Sequence, residues 1–400
     1  MTLRLSTAGI HQQGLSALLR QQSNVARAQL ELTTQQKLIN AADDPSGMAN
    51  AKRLEHALST LEQQDKDSAL VEHRLRSQEQ ALTDVGTQLD RARQLAVQAG
   101  NGALSDADRA SIAGELRQIR EAIVAIGNRD DGTGNRLFAG SRDGVSPFVV
   151  DANGGVSYIG DDGRNQVEVA PGLRIGDTDP GSDLFLRVRT GDGLVRATAG
   201  AGNTGSGVLG SASVTDTAAW AGRSLSVHFT APDAFELRDG AGSVIASGPF
   251  VAGTAIAAGG IQMTITGAPA TGDSFTIGKA PTQDVFGTLE TLANALDAPA
   301  VTASEQAARQ NAINRGLGDI RAAQDHFLSA RADTGTRLAA LDDATDGRLS
   351  YGVSLDTMLS NLRDVDPTEA ASRLALQSTA LEAAQRTLIK VQQMSIFQLL

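Results

Sequence analysis

Two overlapping G-x-G-x-x-G spacings occur back to back, Gly200, Gly202, Gly205 and then Gly205, Gly207, Gly210. Such a loop holds a dinucleotide pyrophosphate when a strand precedes it, a helix opens at the third glycine and an acidic residue follows. Here Ser211-Ala212-Ser213-Val214-Thr215-Asp216-Thr217 follows, which has no helical pattern, so a flexible loop is expected. The histidines (His11, His56, His73, His228, His326) show no metal-ligand spacing and read as surface or seam residues. Asp161-Asp162-Gly163, with Asp177, Asp179 and Asp183 nearby, offers oxygen ligands without the spacing of an EF-hand loop, and reads as hairpin turns. Asp43-Asp44-Pro45 in turn reads as a capped turn: Asp44 precedes a proline, and either carboxylate can cap the next helix. No Ser/His/Asp arrangement can be argued. The expectation is a chain with no catalytic residue, no cofactor and no metal.

Composition narrows the class further. A chain of 400 residues has room for two or three domains. Aromatics are only 3%, so the core must be built from Leu, Val, Ile and Ala, which suits long helices. A net charge of −11 argues against nucleic acid, which needs a basic face, and against an anionic membrane surface. There is no cysteine, hence no disulfide, thiolate metal site or Cys nucleophile. No stretch is long and apolar enough to span a bilayer, and residues 1–9 lack the pattern of a cleaved secretory signal.

The elements that would position any of these residues are long helices. Residues 15–39 carry Leu18, Val25, Leu32 and Ile39 seven apart, with Leu15, Gln22, Gln29 and Gln36 as the expected second row. Residues 370–391 carry Leu374, Leu381 and Leu388, interleaved with Ala370, Gln377, Ala384 and Val391. Seven-residue repeats wind helices into coiled coils, and a seam this rich in Gln is weak. Two weak ends on one chain suggest partners that order only on assembly. From 48 to 99 the rows Leu54, Leu61, Ser68, Leu75, Leu82, Leu89, Ala96 and Ala57, Gln64, Val71, Gln78, Val85, Ala92, Ala99 predict one long helix. Ser105 with Asp108 opens a third as a capping box.

Between 128 and 183, alternation at 136–139, 156–159 and 166–169 predicts short strands. Residues 184–282 read as an all-β module with strands at 184–189, 225–230, 234–238, 243–246, 261–266 and 274–277. In this reading 199–213 is a loop and Trp220 anchors the core. Helix returns after Pro281, running to about Ala344, then as a shorter segment from Leu349 to Val365 before Asp366-Pro367 and the last helix.

The stretch Gln36-Lys37-Leu38-Ile39-Asn40-Ala41-Ala42-Asp43-Asp44-Pro45-Ser46-Gly47-Met48-Ala49 resembles the hand-over from N-terminal helix to long helix in bacterial flagellins and hook-associated proteins. Three further segments narrow the likeness: Gly134-Asn135-Arg136-Leu137-Phe138-Ala139-Gly140-Ser141 with Pro147-Phe148, Val156-Ser157-Tyr158-Ile159-Gly160-Asp161, and the final Ser395-Ile396-Phe397-Gln398-Leu399-Leu400. Within the flagellin superfamily these resemble the hook–filament junction family, hook-associated protein 3. Gln35-Gln36 stands where the family usually has Ser-Gly.

The resemblance implies an α+β fold, a long-helix coiled-coil or bundle rod formed by both chain ends with an inserted all-β outer domain. Residues 1–47 and 366–400 would be terminal coiled-coil helices, disordered in the monomer. Residues 48–183 and 283–365 would form a helical-bundle domain with β-hairpins, and 184–282 the outer domain. It implies a non-enzymatic subunit of the flagellum that forms a short ring joining hook to filament. The expected interface is Leu18, Val25, Leu32, Ile39, Leu374, Leu381, Leu388 and Val391, with Asp43, Asp44 and Pro45 as the hand-over. The implied partners are other copies, a hook-side hook-associated protein, flagellin, and a cytoplasmic export chaperone on the C-terminal helix. Export would use the flagellar type III apparatus without a cleaved signal. A flagellin, and more distantly a secreted adhesin acting through 184–282, are the alternatives.

Overall fold

The protein is represented by a computed structural model that describes residues 7–397 apart from Asp43 and Asn153, with side chains described from 12 to 390. Three helices open the chain: α1 (Thr7–Thr34), α2 (Pro45–Ala99) and α3 (Asp106–Gly127). Two small hairpins follow, β1 (Phe148–Val150) with β2 (Val156–Tyr158) and β3 (Gln166–Ala170) with β4 (Leu173–Gly176). After a wide helical turn at Ser182–Leu186 come β5 (Val188–Arg189), β6 (Val195–Ala199), β7 (Val208–Val214) and the short α4 (Thr217–Trp220). Then follow β8 (Leu225–Ala231), β9 (Ala234–Asp239), β10 (Val244–Pro249), β11 (Ala255–Ala258), β12 (Ile261–Thr266), β13 (Ser274–Lys279) and β14 (Thr282–Gln283). Helices α5 (Val285–Asp297), α6 (Ala303–Arg363) and α7 (Pro367–Phe397) complete it.

The chain separates into two compact units, Met1–Lys66 with Thr345–Leu400, and Asp67–Ala344. These boundaries fall inside α2 and α6, both of which are continuous there.

In the second unit, the two seven-residue rows of α2 meet α3, α5 and α6 in one core. Leu82, Val85 and Leu89 pack with Leu116, Ile123, Leu289, Ile313 and Ile320. Few rings are present, but they are concentrated. Phe138, Phe148, Phe185, Phe286 and Phe327 sit in mutual contact at one end of this core, with centroid distances of 5.1 to 5.9 Å. The β3–β4 hairpin closes a smaller cluster through Val169 and Ile175 on Val71, Leu75 and Leu341.

The β region holds two antiparallel sheets, β10-β9-β8-β13-β6 and β11-β12-β7, over a shared core that includes Trp220, Phe229, Met263 and Phe275. The β5–β14 ribbon pairs the strands by which the chain enters and leaves.

Several local expectations are corrected. Residues 136–139 form no strand: Leu137 and Phe138 are buried by loop backbone bonded to Arg129 and Gly181. Of residues 184–189 only Val188–Arg189 form a strand; 184–186 belong to the wide helical turn, in which both Leu184 and Phe185, neighbours in sequence, point into the core. The stretch read as a loop, 199–213, contains the end of β6 and all but the last residue of β7; only 200–207 connects them. That connection is not loose, since Asp273 accepts the Thr204, Gly205 and Ala270 amides. Finally, α6 does not break near 344–349. Its buried row, Ile313, Ile320, Phe327, Thr334, Leu341, Arg348 and Leu355, passes straight through.

Candidate assembly interface

Helix α1 ends where backbone geometry forces it to. The Thr33 and Thr34 hydroxyls turn back to carbonyls of the last turn, Thr34 at 2.7 Å from Leu30 O. Gln35 then adopts φ 56°, the left-handed region that a residue with a Cβ enters at a cost. Beyond it the chain pairs with the opposite half: Lys37 N donates to Arg363 O at 2.7 Å, Val365 N to Gln35 O at 3.0 Å, and Lys37 Nζ to Asn361 O at 2.6 Å. Ile39 therefore lies in this connector and not on the helix, half-buried beside buried Leu38. This corrects the expectation that it continues the α1 row.

The hand-over into α2 is a capped start. Asp44 Oδ1 accepts the Gly47 amide and the Ser46 hydroxyl, each at 2.8 Å, and Pro45 occupies the first helical position. The Gly47 amide, then the Ser46 hydroxyl, hold the Asp44 carboxyl below its ordinary value. A Cβ on Gly47 would lie 2.2 Å from Asp44 Oδ2 and 3.3 Å from Leu38, so the cap and the packing of Leu38 both depend on glycine there. Asp43 lies outside the described residues. At the other crossing, Asp366 caps α7 through the Thr368 amide at 2.8 Å, with Pro367 again first in the helix.

Helices α1 and α7 pack antiparallel. Gly14 leaves room for Leu388, whose Cδ1 would be 3.0 Å from an added Cβ. Gln21 Nε2 donates to Gln377 O at 3.1 Å, and Arg373 bridges to Glu31 at 3.2 Å, with Arg27 on the other oxygen at 3.1 Å. Leu18, Val25 and Leu32 are half-buried on α1, and Leu374, Leu381 and Leu388 on α7. The Val391 side chain lies outside the described set.

The second row on α1 is displaced by one residue from the expected one. Gly14, Gln21 and Ala28 face the partner, while Leu15, Gln22 and Gln29 are exposed. Buried Glu31 and its arginines were missed too. The signal was present in the small residues Gly14 and Ala28, seven places either side of Gln21, but Leu15 outweighed it.

The residues that suggested other chemistry are engaged elsewhere. Asp177 and Asp131 flank the Arg74 guanidinium at 2.9 and 2.6 Å; the Asp177 contact is an ion pair without a hydrogen bond, since the Nε–H is not aimed at it. Asp179 meets Gln78 at 2.8 Å and Arg337. Asp162 and Asp183 share Arg187 at 2.7 and 2.5 Å. Asp161 Oδ1 accepts the Ser141 and Gly163 amides. These carboxylates are turn and bridge residues. No group of metal-ligating side chains occurs among the described residues, and no described helix is long and apolar enough to cross a membrane.

Comparison with known proteins places this architecture. Residues 5–143 match the bacterial flagellin N-terminal helical region and 317–400 the bacterial flagellin C-terminal helical region. The chain is similar to a crystal structure of Xanthomonas campestris FlgL, 42% identical, covering 76% of this chain and 99% of that one with a TM-score of 0.70. It belongs to the FlgL family, flagellar hook-associated protein 3, of the flagellin superfamily. The FlgL likeness extends to the Legionella pneumophila flagellar junction protein FlgL, 26% identical over 78% of this chain and 99% of that one, TM-score 0.70. Flagellar hook-associated protein 3 of Salmonella typhimurium is 25% identical over 99% of both chains. FlgL proteins are structural flagellar proteins, and the helical ends with a central β-rich region are the family's fold.

Proposed function

We propose that this chain joins hook to filament, assembling as a short ring through α1 and α7 and presenting a surface on which flagellin polymerises. One observation carries the reading. The α1–α7 pair is apolar on its outside as well as in its seam: Leu15, Leu19 and Leu30 on α1, and Leu376 and Ile389 on α7, are 45% to 73% exposed. A helix pair that is apolar on both sides is a surface for further helices. In this reading Leu18, Val25, Leu32, Leu374, Leu381 and Leu388 hold the pair together, and the outer residues meet neighbouring copies. Ile39, with Asp44 and Pro45, sets where the pair leaves α2.

The partners are other copies, a hook-side hook-associated protein and flagellin, with an export chaperone covering the C-terminal helix beforehand. The ends order as neighbours supply buried area. The subunit acts outside the cell, leaving through the flagellar type III apparatus, and its work is interaction, not catalysis.

Deleting the coding sequence is expected to give hooks without filaments and flagellin shed into the medium, reversed by the wild-type chain. Normal filaments in the deletion strain would overturn the proposal. Because both flagellin helical regions match, a filament-subunit reading is the competitor, and long polymers formed by the purified chain alone would favour it.

A further inference from the structure

Within the unit Asp67–Ala344, a cleft of about 900 Å³ opens between α6, the β5–β6 turn and β7. Its walls are fixed by polar side chains of α6 that stand in for missing strands. Asn311 accepts the Leu209 amide at 2.7 Å and donates to Gly207 O at 3.0 Å, and Asn314 donates to Leu209 O at 2.9 Å. These bonds satisfy the free edge of β7. On the other side, buried Asp319 accepts the Gly191 amide at 2.9 Å and Arg196 Nη2 at 2.5 Å, tying down the β5–β6 turn. Gly318 and Ala322, on the same face of α6, keep the floor open.

The charges in this cleft do not balance. Five arginines line it (Arg187, Arg189, Arg196, Arg315, Arg321) against three carboxylates (Asp192, Asp319, Asp325), in a chain of net charge −11. Asp319 is committed to Arg196, and Asp192 accepts the Leu194 and Val195 amides. Arg187 is taken by Asp162 and Asp183. Among the described residues, Arg189, Arg315 and Arg321 make no ion pair, and the buried Arg196 Nε has no acceptor. Burial, and then the neighbouring Arg196 charge, lower the proton affinity of Arg315 against the opposing pull of Asp319. An acidic protein that gathers unpaired guanidinium forks in a walled cleft has built an acceptor for negative charge.

We propose that this cleft binds a small multivalent oxyanion, a phosphate ester or a polycarboxylate, held by Arg189, Arg315 and Arg321. The site is distinct from the α1–α7 surface and does not rest on the assembly reading. The planar forks of arginine match either oxyanion bidentately, and the half-buried position of Arg315 strengthens its pairing relative to an exposed site.

Isothermal titration of the full chain with pyrophosphate and with citrate, at matched ionic strength of about 0.15 M, tests it. Saturable binding of either is expected, the tighter probe telling phosphate from carboxylate chemistry. Arg315→Gln should weaken it about tenfold or more, and so should the double variant Arg189→Gln/Arg321→Gln, whose exposed positions keep the test valid if Arg315→Gln fails to fold. No saturable binding of either probe, or affinities left within about twofold by a folded variant, would overturn the proposal.

Discussion

At the residue scale, the most consequential polar group in the second unit is Arg74. It is buried with Asp131 and Asp177, and His73 reaches the Asp131 carbonyl at 2.7 Å. Removing one partner of a buried ion group leaves charge without compensation, which costs more than the group itself contributes. Arg74→Met is therefore expected to lower stability by about 3–5 kcal/mol in urea denaturation at neutral pH. Burial alone would raise the proton affinity of Asp131; the Thr133 hydroxyl and amide, with Arg74, more than reverse this, and its carboxyl sits below the ordinary 3.8. The stability that Asp131 lends is thus whole above that ordinary value and is lost as pH falls through its lower folded value. The deficit of Arg74→Met should accordingly narrow with acidification, because a protonated Asp131 no longer needs a counter-charge; a deficit that stays constant would refute this account. Tyr158 gives a second, spectroscopic check. Its hydroxyl lies 3.0 Å from Phe138 O and 2.8 Å from Asp161 O, and burial is the main cause that pushes its pKa up to about 12. The chain has two tyrosines, so alkaline absorbance titration should show one of them withholding its ionisation until about pH 12. Both ionising near the ordinary value of 10.0 would mean that Tyr158 is not buried as described.

At the element scale, the heptad rows of α2 and α7 were legible in sequence because their positions are mostly Leu, Val and Ala, and they proved buried or half-buried as rows. Rows were misread wherever a core position is polar or small. The α6 row puts Thr334 and Arg348 among its buried members, and Arg348 finds Asp65 and Thr345 as partners. Without those partners in view, polar residues in the row made the helix look as if it ended near Ala344. On α1, Gly14 and Ala28 make close approach possible, while the large Leu15 and Leu19 point away. Sequence hydrophobicity weighs side-chain size, and close packing does not. Strands β6, β7 and β11 went unseen for a related reason: Gly, Ser and Ala carry little β signal, and the register of β7 comes from β12 and the α6 asparagines. The two faces of α1 make a separable prediction. Leu381→Asp places a charge in the seam and should disrupt the α1–α7 pair, whereas Leu19→Asp should leave the pair intact and block only contacts with neighbours. Both should abolish swimming in complemented deletion strains. Because the ends order as neighbours supply buried area, both purified variants should keep the circular dichroism of the wild-type chain; a loss of helix with Leu381→Asp alone would place the pairing in the monomer.

At the scale of the whole molecule, the question is when the ends become ordered, and the packing suggests where they would yield. In the α1–α7 pair the described side chains that are buried are Ala28, Glu31 and Ala370, while the remaining seam residues are half-exposed. Little apolar area is therefore removed from water by the pair itself, and low-burial segments are the first to open. The retained part should begin just before the Asp44 cap and end near the Asp366 cap, because the Arg363–Glu55 contact ties α6 to α2 and the Gln36–Asp364 bridge holds the connector beside them. Limited trypsin digestion of the purified monomer should then cut after Arg20, Arg27, Arg373 and Arg386 well before Lys52, Arg53 or Lys66. Mass spectrometry should find a persistent fragment bounded by the tryptic sites nearest the two caps, Lys37 and Arg373, consistent with graded local stability. Trimming directly to about 67–344 would mean that the whole first unit opens as one cooperative body, so that α2 and α6 fray with it. Ends as resistant as the middle would mean that the shallow α1–α7 seam suffices in water, and the reading that neighbours order the ends would fall.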